Sequence, residues 1–309
     1  MPVNIKNRRR TALKAIGAGA LMAATRPHAE APPATLSRRA IPRTGETLPV
    51  IGLGTWIVFD VSPGAPEYME LREVLKTFIA GGGSVIDSSP MYGRAEATVG
   101  ALAEELGARK SLFLATKVWT SGRAAGIEQM RDSLRLLRTR SIDLMQVHNL
   151  LDAATHLATL REWKRAGTLR YIGITHYNSG AYPALEKLLA ARDIDFVQFN
   201  YSLAEREAEA RLLPAAAASG TAVIVNRPFA QGALFSRVKG KELPPWAAEF
   251  DGTSWAQFFL KYIVAHPAVT CAIPGTGQVS HMVDNLKAGS GRLPDAKQRR
   301  RMAELIAGL

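Results

Sequence analysis

The chain has 309 residues, of which 47% are hydrophobic and 21% are charged. These fractions are near the average of globular proteins and exclude intrinsic disorder or a membrane bundle for the whole chain. Because Cys271 is the single cysteine, an internal disulfide and a multi-thiolate zinc site are also excluded. The length fits one barrel of alternating strands and helices, which commonly takes about 250 residues, together with a tail.

The net charge of +12 is concentrated at the N-terminus. Residues 1–43 carry nine Lys or Arg and one acidic residue, whereas the rest of the chain has 30 basic and 26 acidic residues. A second small basic cluster, residues 299–301, lies near the end. No basic stripe interleaved with aromatic residues occurs, so we expect no nucleic-acid partner.

Residues 1–35 have the features of an export signal and a linker, ahead of a barrel domain at 36–309. Residues 8–14 are Arg-Arg-Arg-Thr-Ala-Leu-Lys, and a weakly apolar run of eleven residues follows from 15 to 25. That run is far shorter than the ~20 residues that span a bilayer. The order resembles a twin-arginine translocation signal, which implies contact with that export machinery and a periplasmic or exported location. A disordered basic tail is the alternative.

Beyond the linker, short apolar runs alternate with amphipathic stretches, as in repeated strand–helix units. The predicted strands are 50–54, 84–87, 112–117, 142–148, 171–175, 196–200, 222–226 and 269–274. The predicted helices are 70–80, 95–106, 126–137, 153–166, 182–192, 205–219 and 254–265, and Gly107, Gly167 and Gly220 close three of them.

Eight strand–helix units predict a (β/α)8 TIM barrel, an α/β fold. A doubly wound open sheet is the alternative, but no Gly-x-Gly-x-x-Gly turn follows any strand. Residues 39–50 contain a Thr44-Gly45-Glu46 turn between extended pieces. We expect this segment to form an N-terminal β-hairpin at the bottom of the barrel.

Polar residues at strand ends are the candidates for catalysis, because such a barrel places its active site at the C-terminal ends of its strands. Asp87 ends the second strand, Tyr92 follows in its loop, and Lys117 and His148 end the third and fourth strands. Taken singly, they could be a cap, a packed ring, a surface lysine and a core histidine. Three successive strand ends that deliver an acid, a phenol, an ammonium and an imidazole predict a proton-transfer site.

The chemistry expected of this set is general acid catalysis. A phenol has a pKa near ~10, and the nearby Lys117 ammonium is expected to lower the pKa of Tyr92. Asp87 would pair with Lys117, and His148 would hydrogen-bond a substrate carbonyl oxygen. These roles suit a carbonyl oxygen that gains negative charge while a hydride reaches its carbon.

Five motifs resemble, in chain order, those of the aldo-keto reductase family. They are Gly52-Leu53-Gly54-Thr55-Trp56, Ile86-Asp87-Ser88-Ser89 with Tyr92-Gly93, Ala115-Thr116-Lys117, the strand 143–148, and Ile273-Pro274-Gly275-Thr276. The resemblance implies a reductase that converts an aldehyde or ketone to an alcohol with hydride from a nicotinamide cofactor. It makes Asp87, Tyr92, Lys117 and His148 the catalytic tetrad, with Tyr92 as the general acid.

The resemblance also implies a cofactor site. NADPH is the expected cofactor, and NADH stays open because Gly275 and His281 stand where relatives carry basic residues. Thr175 and Gln198 would hold the nicotinamide carboxamide. Where relatives usually present an aromatic ring to stack on the nicotinamide, this chain has the segment 226–229, and Arg227 would either stack there or form a salt bridge. The predicted cofactor contacts are Gly54, Thr55, Trp56, Thr175, His176, Gln198, Asn226, Arg227, Pro228, Gly275, Thr276, His281, Asp284 and Asn285.

A mostly apolar wall is predicted for the substrate, which favours an apolar or aromatic aldehyde or ketone. The predicted pocket residues are Trp56, Phe59, Met91, Trp119 and Asn149, and the alternative is that these side chains pack beneath loops. The six histidines include no His-x-His pair, so no metal is expected and a metal-dependent hydrolase is disfavoured. A nucleotide-binding redox sensor with the same barrel is the other alternative. The relatives' usual state implies a monomer.

Overall fold

A computed structural model of the protein describes residues 35–309. The predicted export signal therefore lies outside the described residues. Within 35–309, no helix is long and apolar enough to cross a membrane.

Eight parallel strands form one sheet in which spatial order follows chain order. The strands are β3 (Leu53–Gly54), β4 (Val85–Asp87), β5 (Phe113–Val118), β6 (Ile142–His148), β7 (Leu169–Thr175), β8 (Phe196–Asn200), β9 (Ala222–Asn226) and β10 (Cys271–Ala272). Parallel bridges between Ile51 and Ala272 and between Gly54 and Gly275 join the first barrel strand to the last. The predicted (β/α)8 barrel is confirmed.

The helices cover the outside of this barrel. They are α1 (Pro66–Ala80), α2 (Ala95–Glu105), α3 (Arg123–Leu136), α4 (Ala153–Arg165), α5 (Tyr182–Leu189), α6 (Leu212–Ser219), α7 (Ala233–Arg237), α8 (Trp255–Val264), α9 (Val279–Lys287) and α10 (Ala296–Ala307). Gly107, Gly167 and Gly220 have φ values of 60°, 77° and 67°, the left-handed backbone that ends helices.

The helices α7, α9 and α10 were not predicted from the sequence. The helix predicted at 205–219 is shorter in the structure. A 3-10 turn occupies Glu207–Glu209 and α6 begins only at Leu212. Pro214 explains the late start, because proline has no N–H and is tolerated only in the first turn of a helix.

The N-terminal hairpin consists of β1 (Arg38–Ala40) and β2 (Thr47–Pro49). Its Ile41 and Leu48 belong to the same buried cluster as the inward side chains of the barrel, including Phe113 and Tyr171. The Arg39 guanidinium donates to the carbonyl oxygens of Val264 and His266, which tie the hairpin to the end of α8. The hairpin therefore plugs the bottom of the barrel, as the sequence predicts.

Candidate active site

Inward positions near the top of the barrel carry polar side chains instead of the apolar ones below them. Val85 and Phe113 fill the interior, and the inward positions two and four residues further on hold Asp87 and Lys117. Side chains alternate between the two faces of a strand, so residues two apart share a face. The strand pattern alone therefore stacks an apolar layer beneath a polar one.

Asp87 and Lys117 form a fully buried ion pair. Lys117 Nζ lies 2.5 Å from Asp87 Oδ2, and the lysine side chain is 0% exposed. Nζ also donates to the carbonyl oxygen of Ser88 at 2.6 Å. Burial disfavours the ammonium, but the charge of Asp87 and the contact with Tyr92 outweigh it and raise the pKa of Lys117. Lys117 is thus held as a cation inside the barrel.

Two glutamines complete the coordination of Asp87. Gln146 Nε2 and Gln198 Nε2 donate to Asp87 Oδ1 at 3.0 and 2.8 Å. Gly173 gives the Gln146 side chain its room, because a Cβ there would lie 3.0 Å from Gln146 Cγ and 2.9 Å from the Phe196 carbonyl oxygen. The carboxylate therefore accepts from three side chains on three other strands, Lys117, Gln146 and Gln198, and this network fixes the position of Lys117.

Tyr92 lies over the lysine on the loop after β4. Lys117 Nζ is 5.0 Å from the centre of the Tyr92 ring. Burial raises the pKa of Tyr92, and the charge of Lys117 offsets that rise only in part. The net direction is opposite to the lowered pKa expected from the sequence, because burial of the phenol outweighs its cationic neighbour. Tyr92 is therefore a protonated phenol at neutral pH, which is the state that a general acid needs before it reacts.

His148 ends β6 beside Tyr92. The two rings meet edge to face with centres 5.9 Å apart, and the Trp119 ring lies 6.4 Å away. His148 Nδ1 lies 3.0 Å from Ser89 Oγ. Burial, then the charge of Lys117, lowers the pKa of His148 to about 2. The imidazole is neutral at physiological pH, so it can donate a hydrogen bond without carrying charge.

These side chains open into a cavity of about 610 Å³ at the barrel mouth. Trp56, Met91 and Asn149 line it, as predicted. Trp119, also predicted, is not among the residues that line the cavity, although its ring is 40% exposed and lies 6.4 Å from that of His148. The expectation for Phe59 is not met, because a turn in which Phe59 N donates to Thr55 O buries this ring completely in the outer core.

One wall of the cavity carries the predicted carboxamide-binding residues. Thr175 Oγ1 donates to Gln198 Oε1 at 3.1 Å, and Asn226 Nδ2 lies 3.4 Å from the same oxygen. Asn226 Oδ1 is buried and has no hydrogen-bond partner within the described chain. An acceptor left open beside these groups fits the amide N–H of a nicotinamide carboxamide. His176 lies next to this wall, with its ring stacked on Tyr177 at 5.3 Å.

Arg227 lines the cavity but is held by protein groups. Its Nη1 donates to the carbonyl oxygen of Tyr177 at 2.9 Å, and Nη2 lies 3.5 Å from Glu205 Oε1. Its guanidinium lies 5.9 Å from the centre of the Tyr177 ring. Of the two roles open from the sequence, these contacts favour the salt bridge over stacking on a nicotinamide.

The segment after β10 has a divided role. Gly275 is exposed at the barrel seam and lines the cavity together with Gly54, Thr55 and Pro228. Thr276 Oγ accepts from Gln278 N at 3.1 Å, and His281 is exposed on the first turn of α9. Asp284 accepts from Ser254 Oγ and Gln257 Nε2, both at 2.6 Å, while Asn285 is buried. These bonds give Asp284 a structural role, because they hold α9 against the start of α8.

Sequence reasoning missed several residues of the site. Gln146 had a readable signal, since it is a polar residue two positions before His148 and therefore shares its inward face. Ser89 and Tyr177 lie on loops, where no periodicity indicates direction. The remaining lining residues that were not predicted are Val58, Phe229, Gln231, Gly232, Phe235 and Ile273.

Within residues 35–309, no cluster of three or more His, Cys, Asp or Glu side chains could hold a metal ion. The polar centre of the cavity is instead an ion pair, a phenol and an imidazole. In this arrangement the phenol can give its proton to an oxygen that gains negative charge. The buried cation beside the phenol and the neutral imidazole next to it can stabilise that charge.

Comparison with known proteins agrees with this geometry. The sequence model of the Aldo/keto reductase family matches residues 50–306. The chain is 28% identical over 214 residues to the aldo-keto reductase YhdN of Bacillus subtilis (strain 168), which covers 64% of each chain. It is 29% identical over 248 residues to the methylglyoxal reductase YeaE of Escherichia coli (strain K12), covering 77% of this chain and 84% of the relative.

Solved structures show the same fold. An aldo/keto reductase from Klebsiella pneumoniae, crystallised with NADP and acetate, superposes with a TM-score of 0.71 at 26% identity. The match covers 85% of this chain and 93% of that one.

Proposed function

The chain belongs to the aldo/keto reductase family, and from that premise we propose that it reduces an aldehyde or ketone to an alcohol with NAD(P)H. The observation that carries this proposal is the buried Asp87–Lys117 pair beneath Tyr92 and His148 at the mouth of the cavity. When bound, the reduced nicotinamide supplies the hydride.

The four side chains divide the remaining work. His148, neutral and facing the cavity, donates a hydrogen bond to the carbonyl oxygen and orients it. Tyr92 gives its phenolic proton to that oxygen as negative charge develops. Lys117 stabilises the phenolate that is left behind, and Asp87 keeps Lys117 charged and in place.

The cofactor would be held by the wall around Thr175, Gln198 and Asn226, with Gly275 at the seam near the pyrophosphate end. NADPH is our first choice, since a solved relative binds NADP. The exposed His281, in place of a basic residue, leaves NADH as an acceptable substitute.

The substrate we propose is an apolar or aromatic aldehyde or ketone. The cavity is lined by rings and apolar side chains, among them Trp56, Met91, Phe229 and Phe235. Among the polar lining residues, Thr175, Gln198 and Asn226 form the proposed carboxamide wall. The charged Arg227 is paired with Glu205, which leaves few charged partners for a highly charged substrate.

The decisive experiment follows NADPH absorbance with the full chain and an activated aromatic aldehyde, beside the variant Tyr92→Phe. We expect turnover by the parent and near-complete loss in Tyr92→Phe. Tyr68→Phe is the matched control, because the Tyr68 hydroxyl bonds Glu105 on the outer shell and lies outside the cavity. Methylglyoxal serves as a small polar comparison substrate. A folded parent that binds NADPH and turns over no carbonyl would instead indicate a redox sensor.

We also propose that the protein acts outside the cytoplasm as a monomer, exported by the twin-arginine route. The support is the Arg9-Arg10 pair ahead of Leu13-Lys14 and a mild apolar run. This route carries folded proteins, so the chain would leave with its cofactor bound. Cell fractionation should find the parent in the periplasm and Arg9→Lys/Arg10→Lys in the cytoplasm. Nucleotide-free periplasmic protein by mass spectrometry would refute export with cofactor, and light scattering would test the monomer.

A further inference from the structure

The two ring nitrogens of His148 have different surroundings. Nδ1 lies 3.0 Å from the hydroxyl oxygen of Ser89, which is 0% exposed. The residue as a whole lines the cavity between the rings of Tyr92 and Trp119. With Nδ1 facing the loop after β4, Nε2 is the nitrogen left for a ligand in the cavity.

A neutral imidazole carries one N–H, so its usefulness as a donor depends on which nitrogen holds the proton. With the proton on Nε2, His148 can donate to a carbonyl oxygen. With the proton on Nδ1, the lone pair of Nε2 would face that oxygen and repel it. Burial and Lys117 keep the ring neutral, but they do not choose between these two tautomers.

The hydrogen bonds of Ser89 determine which tautomer His148 adopts. Within residues 35–309, the Ser89 hydroxyl has two contacts, with Met91 N at 3.4 Å and with His148 Nδ1 at 3.0 Å. Met91 N–H is a donor, so it can only fill a lone pair of Ser89 Oγ. The buried O–H of Ser89 then has one available acceptor, Nδ1, and a buried donor without an acceptor is costly. Nδ1 must therefore be unprotonated.

We propose that Ser89 is a positioning residue that holds His148 as the Nε2–H tautomer, ready to donate to the substrate carbonyl oxygen. This role rests on the proposed carbonyl reduction. The same turn also places the proton donor, because Tyr92 N donates to the Ser89 carbonyl oxygen at 3.0 Å. One short segment of the β4 loop thus orients both groups that meet the carbonyl oxygen.

The test combines a spectroscopic and a kinetic measurement on Ser89→Ala. Long-range ¹H–¹⁵N NMR of the full chain distinguishes a protonated from an unprotonated ring nitrogen, and His148→Asn identifies the signals. We expect the parent to show Nε2 protonated and Nδ1 bare, and Ser89→Ala to show a mixture of tautomers. We expect kcat for the aldehyde to fall about tenfold in Ser89→Ala, the effect of one misdirected hydrogen bond, with the Kd for NADPH unchanged.

Ser133→Ala is the control, because Ser133 is equally buried but lies on α3, outside the cavity. It should change neither the His148 spectrum nor kcat. A parent with Nδ1 protonated, or a Ser89→Ala variant that keeps a single Nε2–H tautomer, would overturn the assignment. The NMR result does not depend on turnover. An inactive parent with the expected spectrum would therefore refute the reductase proposal and leave the tautomer assignment standing.

Discussion

Neutralising Asp87 is the sharpest test of the buried ion pair. Asp87→Asn keeps the side-chain shape and one acceptor oxygen for Gln146 and Gln198, but it removes the charge that faces Lys117. The lysine is 0% exposed, so no solvent can replace the lost partner. Breaking a buried pair on one side costs about 3–5 kcal/mol, since it leaves an uncompensated buried charge.

That loss can be measured by urea unfolding at pH 7, followed by tryptophan fluorescence and by circular dichroism. For a domain of this size we take a slope of about 3 kcal/mol per molar urea, which places the midpoint of Asp87→Asn about 1–1.7 M lower. Coincident transitions from the two probes would justify a two-state treatment.

A double-mutant cycle separates the ion pair from other effects of the substitution. Lys117→Met removes the cation and fills similar volume, so Asp87→Asn/Lys117→Met no longer contains an unpaired charge. We expect the double variant to be more stable than the sum of the single losses predicts, by up to about 3 kcal/mol. Losses that add to within about 0.5 kcal/mol would refute the coupling, and with it the claim that Asp87 keeps Lys117 charged.

Three further outcomes follow from burial. Because the pKa of Tyr92 is raised and that of His148 is lowered to about 2, kcat for reduction should be flat from about pH 5 to about pH 9, and an inflection near the ordinary histidine value would contradict this. Burial raises the pKa of Glu96, so the stability that the protonated Glu96 contributes is complete below its unfolded-state pKa and is lost as pH rises. By urea unfolding, Glu96→Gln should therefore be more stable than the parent at pH 7. The difference in unfolding free energy between the two proteins should vanish near pH 4. Gly100→Ala should lower the unfolding free energy by about 1–3 kcal/mol, although alanine has the better helix propensity. The reason is that the new Cβ would lie 2.1 Å from the Leu136 carbonyl oxygen. A stabilised variant in the same assay would show that α2 and α3 can separate freely.

The sequence by itself determined the architecture and the identity of the central residues. Each apolar run ends in a residue whose inward or outward direction follows from the two-residue period of a strand. The strand pattern therefore assigns Asp87, Lys117 and His148 to one end of the barrel. Helix ends marked by glycine, such as Gly220, were equally readable, because left-handed backbone is local.

Only the tertiary structure decided the properties that depend on what surrounds a side chain. The pKa of Tyr92 depends on two opposing effects, burial of the phenol and the charge of Lys117. How deeply a side chain is buried cannot be predicted from the local sequence pattern. The sequence left two roles open for Arg227, and its contacts with Tyr177 and Glu205 in the fold favour the salt bridge. The sequence also allowed Phe59 to face the cavity, but its turn buries the ring in the outer core. The contact of Ser89 with His148 joins residues 59 positions apart. Such contacts arise from closure of the barrel, and so the tautomer that they select could not be deduced from the chain alone.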